Sequence, residues 1–261
     1  MPLQGLTSPY TPSGCSALVP PPPWHYAGDV VSLALDVDQG RADALLPDGF
    51  GRATGHAYGH FCEWQATTDG SELLDPVYAQ YREFFILIEA ERDGALALFC
   101  PFIYVDQDIS MVRGLLQGWP KKMGSVWVTR FYEDLGDHPA AARRHAGQGL
   151  GATLAVKDRR LAQAELTLTG KPGERLGFLA IPTFGLVGQP SIVGTIAPGD
   201  RKLVRARVEQ SVCGPLAAGQ GTLRLFDSPR DELALLQPLG PVTASIGQFA
   251  LTITGAEAIA P

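Results

Sequence analysis

The sequence predicts a mainly antiparallel β fold, and three observations carry that expectation. Apolar and β-branched residues recur with period two, as in DVVSLAL at 29–35 and LAQAELTLTG at 161–170. Polar turn clusters such as TTDGSELLD and ERDG separate these runs. The 30 glycines and 21 prolines suit strand connections and bulges. With 261 residues, 45% of them hydrophobic and 18% charged, the chain can bury a sizeable core. No internal repeat or linker divides it, so one domain over residues 1–261 is expected.

Residues 1–23 are rich in Pro, Ser and Gly and end in the run Pro20 to Pro23, which favours extended polyproline geometry and reads as an N-terminal arm. Asp29 to Leu35 follows as a strand, and Asp38 to Leu46 as a short helix closed by Pro47. Gly51 to Trp64, Tyr78 to Ala90 and Ala95 to Tyr104 carry the aromatic and branched residues of antiparallel strands. Further strands are expected at 127–132, 152–158, 161–170, 202–212 and 221–227. Helices are expected at Ile109 to Gln117, Pro139 to Gly147 and Asp231 to Leu236, the last with Ser228 as cap and Pro229 in its first turn. The glycines of GQGLGA at 147–152 lack the strand-loop-helix setting of a dinucleotide site and read as a turn.

With 27 acidic against 21 basic residues the net charge is −6, which argues against a binder of nucleic-acid phosphates. No apolar run approaches membrane-spanning length, and the N-terminus lacks the pattern of a secretory signal, so a cytoplasmic protein without a membrane partner is expected. Cys15, Cys62, Cys100 and Cys213 form no CxxC pair and read as buried free thiols. His56, His60 and Cys62 share one face of a strand, but a rise of about 3.4 Å per residue spreads them too far to chelate one ion unaided. No metal and no organic cofactor is expected. Glu89 and Glu91 read as a solvated strand edge, and Arg201, Lys202, Arg205 and Arg207 as a solvated face or a subunit contact.

Only five of the 21 basic residues are lysines, and two of those are adjacent. Lys121 and Lys122 lie in DQDISMVRGLLQGWPKKMGSVWV, amid Met111, Leu115, Leu116, Trp119, Met123 and Trp127. An amine is nucleophilic only when neutral, and desolvation and a neighbouring cation both lower a lysine pKa from about 10.4. The segment offers both influences. Reaching neutral pH requires a combined penalty of roughly 4–5 kcal/mol, which deep burial can supply. The structural alternative is a surface turn whose lysine stems lie over apolar neighbours.

The run QGWPKKMG resembles the active-site segment of the acetoacetate decarboxylase superfamily. YREFF at 81–85, PFIYVDQD at 101–108 and GTLRLFDSPRDELALLQPL from 221 follow in the family's order, and the likeness extends from the TSPYTP arm to about Leu251. The resemblance implies a cone-shaped antiparallel β-barrel with surrounding sheet and few short helices. It implies that Lys121, the first lysine after the proline, forms a Schiff base with a carbonyl substrate, as the activated lysine of acetoacetate decarboxylase does. In that reading Lys122 helps to lower the Lys121 pKa, and Glu83, which matches the family's active-site glutamate, shuttles protons. Tyr81, Arg113, Gln117 and Trp119 are the expected substrate-binding residues, Arg113 as a carboxylate ligand or a loop support. Assembly into a homo-oligomer is likewise implied.

Two departures bear on the reaction. The decarboxylases carry a Gly-Arg-Glu triplet shortly before the proline-lysine segment, whereas this chain has Val112, Arg113, Gly114 and Leu115. Their arm arginine is replaced near Gly28. A protonated imine is an electron sink for other bond cleavages as well. The pattern is closer to the aldolase-dehydratases of the superfamily, so the leading expectation is a lysine-imine lyase that condenses pyruvate, or a similar small oxo acid, with an aldehyde. Decarboxylation of a 3-oxo acid and a non-catalytic binding barrel are the alternatives.

Overall fold

The computed structural model describes residues 1–190, 193 and 199–259. In chain order its elements are β1 (Trp24–Asp36), α1 (Gln39–Asp43), β2 (Ala53–Thr67), α2 (Pro76–Ala79), β3 (Gln80–Arg92), β4 (Ala95–Val105), α3 (Asp108–Leu116), β5 (Lys121–Met123), β6 (Ser125–Val128), β7 (Gly149–Val156), β8 (Arg159–Pro172), β9 (Thr183–Val187), β10 (Lys202–Leu225) and β11 (Val242–Ala258). The mainly antiparallel β architecture expected from the sequence is the one observed. Strands pair in the order β11-β1-β2-β3-β4-β9-β10, and β10 pairs again with β11 to close the ring. Beyond its β9 pairing, β10 continues into β8, β7 and β6, which forms the surrounding sheet.

Alternation along the ring strands feeds two cores. Phe84, Ile86 and Ile88 of β3 pack with Leu33, Phe61 and Tyr104 against Leu154, Leu161 and Leu168 of the surrounding sheet. The opposite face contributes Phe85 and Leu87, which join Cys62, Trp64, Leu98, Cys100 and Val105 inside the ring. Period-two sequences on strands buried on both faces therefore serve two cores at once. The arm lays Leu18 and Val19 against Ile109 and Val112, the outer side of α3.

Several expectations need correction. Residues 139–147 form turns instead of a helix, because the Arg144 N–H donates to the Glu133 carboxylate and its guanidinium reaches Asp29 and Glu133, which removes the segment from a helical ladder. The strands expected at 202–212 and 221–227 are one strand, β10, whose three register shifts absorb the broken alternation around Gly214 and Pro215. Gly149 to Gly151 open β7, so the expected turn at 147–152 is only its first part. β6 stops at Val128 instead of continuing to residue 132. The helix at Asp231 to Leu236 is a 3₁₀ turn over Leu233–Leu236, and Ser228 accepts from the Arg230 N–H instead of capping it. β5, β9 and β11 were not anticipated. Glu89 is 5% exposed and accepts from Tyr58 and Thr54 at 2.8 and 2.9 Å, so it is a satisfied interior carboxylate, not a strand edge. Cys15 is exposed, while Cys62 and Cys100 are buried, and all four thiols are free. No described helix is long and apolar enough to cross a membrane.

Candidate active site

The path of the chain through α3 and β5 explains how the two lysines are presented. Helix α3 ends in a reversal in which the Trp119 N–H bonds the Gly114 carbonyl at 2.9 Å and the Gly118 N–H bonds Leu115 at 3.4 Å. Gly118 takes φ +86°, the left-handed conformation such a C-terminal motif requires. Pro120 then prevents continuation, and the chain returns beside its own helix as β5. This strand pairs in parallel with β4, Ile103 opposite Lys121 and Tyr104 opposite Lys122. Partners in a parallel ladder share a face, so Lys121 follows Ile103 into the ring and Lys122 follows Tyr104 to the outer core.

Inside the ring, the Lys121 ammonium lies 2.6 Å from Glu83 Oε2 and donates to Ser110 Oγ at 3.0 Å. Both side chains of the ion pair are nearly withdrawn from water, at 9% and 7% exposure. Trp64 Nε1 donates to the other Glu83 oxygen at 3.1 Å, which fixes the carboxylate from its far side. The Lys121 nitrogen stands 5.3 Å from the Tyr81 ring centre. Gly114 is the floor of this arrangement. A β-carbon there would lie 2.7 Å from Lys121 Cγ and closer still to Cδ and Cε, so the stem occupies space that any other residue would fill.

Lys122 faces the other way. Its nitrogen pairs with Asp231, whose side chain is 4% exposed, and it lies 5.1 Å from the Tyr104 ring centre. Asp231 also accepts from the Tyr104 hydroxyl at 2.6 Å. The cation that the sequence reading set beside Lys121 is therefore directed away from it and matched by a carboxylate. Asp231 went unremarked in the sequence because the contact spans 109 positions.

Arg113 is 6% exposed and sits near the rings of Trp24 and Tyr26, at 5.9 and 5.5 Å, with Nη1 donating to the Tyr26 hydroxyl at 3.4 Å. Burial opposes its charge, but Tyr26 and Tyr81 offset that opposition and leave its pKa above the ordinary value. No carboxylate among the described residues comes within 4.0 Å of it, and its Nε is buried without a partner. Such a cation is ready to accept an anion. Gln117 is also buried, and its amide donates to the Arg113 carbonyl at 3.2 Å. Trp119 meets Phe85 edge-on at 6.0 Å. Tyr81 is buried, and burial, reinforced by Glu83, pushes its phenol well above its ordinary pKa.

An open cavity of about 1290 Å³ adjoins this constellation. Trp64, Tyr81 and Phe249 line it, and of these Trp64 also bonds Glu83 and Tyr81 lies beside the Lys121 nitrogen. Neither Lys121 nor Glu83 lines the cavity itself. The neighbouring thiols are poor nucleophiles, since burial first and Glu83 second push Cys62 and Cys100 well above their ordinary pKa. His60 is fully buried beside Ser32 at 3.0 Å, whereas His56 pairs with Asp36 at the surface. No metal-binding group of three or more ligands occurs among the described residues.

Residues that the sequence reading missed are Trp64, Ser110, Gly114 and Asp231. Ser110 and Gly114 stand four apart on α3, hence on one face, which is the one usable signal.

Comparison with known proteins places these observations in a family. Two solved structures of the enduracididine biosynthesis enzyme MppR, one complexed with pyruvate and one with the condensation product of pyruvate and imidazole 4-carboxaldehyde, are each 31% identical to this chain at a TM-score of 0.91. They cover 100% and 99% of this chain, and 99% and 97% of their own lengths are matched. An acetoacetate decarboxylase-like enzyme from Sphingomonas wittichii RW1 is 26% identical at a TM-score of 0.85, covering 98% of this chain and 100% of its own. No curated protein is matched. The family model described as acetoacetate decarboxylase (ADC) matches residues 7–260, and the chain belongs to that family.

Proposed function

We propose that this chain is a lyase in which Lys121 forms a Schiff base with a small oxo acid, most simply pyruvate, and condenses it with an aldehyde followed by loss of water. The observation that carries the reading is a buried lysine nitrogen held at 2.6 Å from a carboxylate, with a buried arginine of the adjoining helix lacking a carboxylate partner among the described residues. The two MppR complexes support the choice of oxo acid, since that protein was captured with pyruvate and with a pyruvate-aldehyde condensation product.

The roles follow from position. Glu83 takes a proton from the Lys121 ammonium and returns it to the departing hydroxyl of the carbinolamine. Arg113 holds the substrate carboxylate in a bidentate contact. Tyr81 and Trp119 supply apolar wall, and Gln117 steadies the Arg113 turn of the helix through its bond to the main chain. Lys122, matched by Asp231, anchors β5 in register. The resulting iminium draws electrons from the α-carbon, giving the enamine that attacks an aldehyde.

Borohydride reduction in the presence of pyruvate, read by intact mass, tests the proposal. Wild type gains one reduced pyruvate adduct and Lys121→Ala gains none; labelling that persists in the variant overturns the assignment. With an aldehyde added, an enone absorbance without carbon dioxide is expected. Carbon dioxide from acetoacetate would instead return the activity for which the family is named.

A further inference from the structure

Beyond Lys121 and Glu83, a third group touches the reacting nitrogen. Ser110 is 1% exposed and lies in the first turn of α3, and its oxygen accepts from Lys121 Nζ at 3.0 Å. Helical serines more often bond back to a carbonyl of their own helix or face water. Here the hydroxyl is turned inward to the Lys121 nitrogen. The Lys121 nitrogen is therefore held by Ser110 at 3.0 Å as well as by its ion-pair contact with Glu83 at 2.6 Å.

We infer that Ser110 is a catalytic residue of the imine-forming step, aiming the Lys121 lone pair and relaying the proton that must cross from nitrogen to oxygen. The inference rests on the assignment of Lys121 as nucleophile. A neutral amine has two N–H bonds and one lone pair. With one N–H held on Ser110 and a proton lost to Glu83 across the 2.6 Å contact, the lone pair is bared on the Glu83 side of the nitrogen, and the Ser110 bond fixes the rotation of the amine.

The proton balance then assigns each group one task. Glu83 removes a proton from the ammonium and becomes a neutral acid. The amine attacks the ketone carbon, forming a C–N bond and leaving a positively charged nitrogen and an alkoxide. Ser110 Oγ accepts the surplus proton from nitrogen while passing its own hydroxyl proton to the alkoxide, which gives the neutral carbinolamine and regenerates the serine. The Glu83 acid finally protonates the carbinolamine hydroxyl, the C–O bond breaks, water leaves, and an iminium remains paired with the restored carboxylate. No oxidant, reductant or further reactant enters.

The experiment follows adduct formation in time, with pyruvate mixed against full-length protein, quenched with borohydride at intervals and read by intact mass. Wild type, Ser110→Ala and Ser110→Thr are compared from pH 6 to pH 9, with melting curves as the control for folding. Ser110→Ala is expected to slow the rate by about 10²-fold, the lower end for a positioned proton-transfer group, while the final extent of labelling and the melting temperature stay near wild type. Ser110→Thr, which keeps the hydroxyl, restores the rate to within about fivefold of wild type. Ser110→Ala at the wild-type rate and with the wild-type pH profile overturns the inference, and so does a threonine variant as slow as alanine, since the defect would then be one of packing. Wild type without any adduct on Lys121 overturns the assignment of the nucleophile itself and this inference with it.

Discussion

Gly114→Ala separates the cost of filling a space from the cost of moving Lys121, the proposed nucleophile. The glycine lies inside α3, where alanine is favoured over glycine by about 1 kcal/mol. Against this, the added methyl falls 2.7 Å from Lys121 Cγ and nearer to the next two carbons, so the stem must retreat by about 1 Å to recover ordinary carbon separations. Overpacking of this kind costs about 1–3 kcal/mol. The two contributions oppose, leaving stability within about 2 kcal/mol of wild type, or less than about 8 °C in melting temperature for a chain of this size. The position of the Lys121 nitrogen has no such compensation. A displacement of about 1 Å pulls it from both Glu83 and Ser110, and misplacement on that scale costs about 10²-fold in rate. Timed borohydride trapping with pyruvate beside a melting curve reads both quantities. Gly240→Ala serves as control, because a β-carbon there meets nothing within 4 Å. A Gly114→Ala protein that traps pyruvate at the wild-type rate would refute the reasoning that the stem needs this space.

Two further perturbations test other parts of the molecule. Burial lowers the His60 pKa to about 3 from 6.5, so between these values the unfolded chain binds a proton that the folded one does not, and stability falls as pH drops below 6.5. By pH 4.5 the loss is about 3 kcal/mol, and His60→Phe, which keeps a ring against Phe85 and Phe178, is expected to escape that share of acid sensitivity in melts at pH 7 and pH 4.5. Asp231→Ala leaves the buried Tyr104 hydroxyl unpaired and takes the partner from the half-exposed Lys122 ammonium, costing about 1–3 kcal/mol and lowering the melting temperature by about 2–12 °C. Trapping at Lys121 should persist in that variant under native conditions. A trapping rate that collapses while the melt is unchanged would mean that Lys122 acts on the reaction directly.

How much of this was legible depends on which residues had to meet. The ring strands could be read because FFILI and its like alternate between two cores, and the same alternation places Glu89 on the face of Glu83, Phe85 and Leu87 instead of at a solvated edge. Motif and order singled out Lys121 and Glu83, which the fold brings within 2.6 Å of each other. Their neighbours could not be found that way, because Ser110 and Gly114 face Lys121 only after the chain reverses at Gly118 and returns, a geometry that spacing along the helix does not reveal. Lys122 was misjudged for a related reason. Had KKM been seen as a strand, period two would have sent the two lysines to opposite faces, but three residues after a proline carry no visible alternation. β11 escaped notice because its glycines and small residues interrupt the pattern, and it is defined by the partners β1 and β10 on its two sides.

The adjacent lysines also pose a problem of degeneracy. A slip of β5 by one residue against β4 would deliver a lysine to the ring all the same, since Lys122 would replace Lys121 there. The amine would be present but misaligned with Glu83, a silent error in a chain whose composition is unchanged by the shift. Asp231 and Tyr104 break the tie: only one register offers the second lysine a buried carboxylate on the outer side. The outward ion pair thus favours the register that forms the inward one, and a residue 109 positions away in sequence bears on where Lys121 is placed without touching the ring.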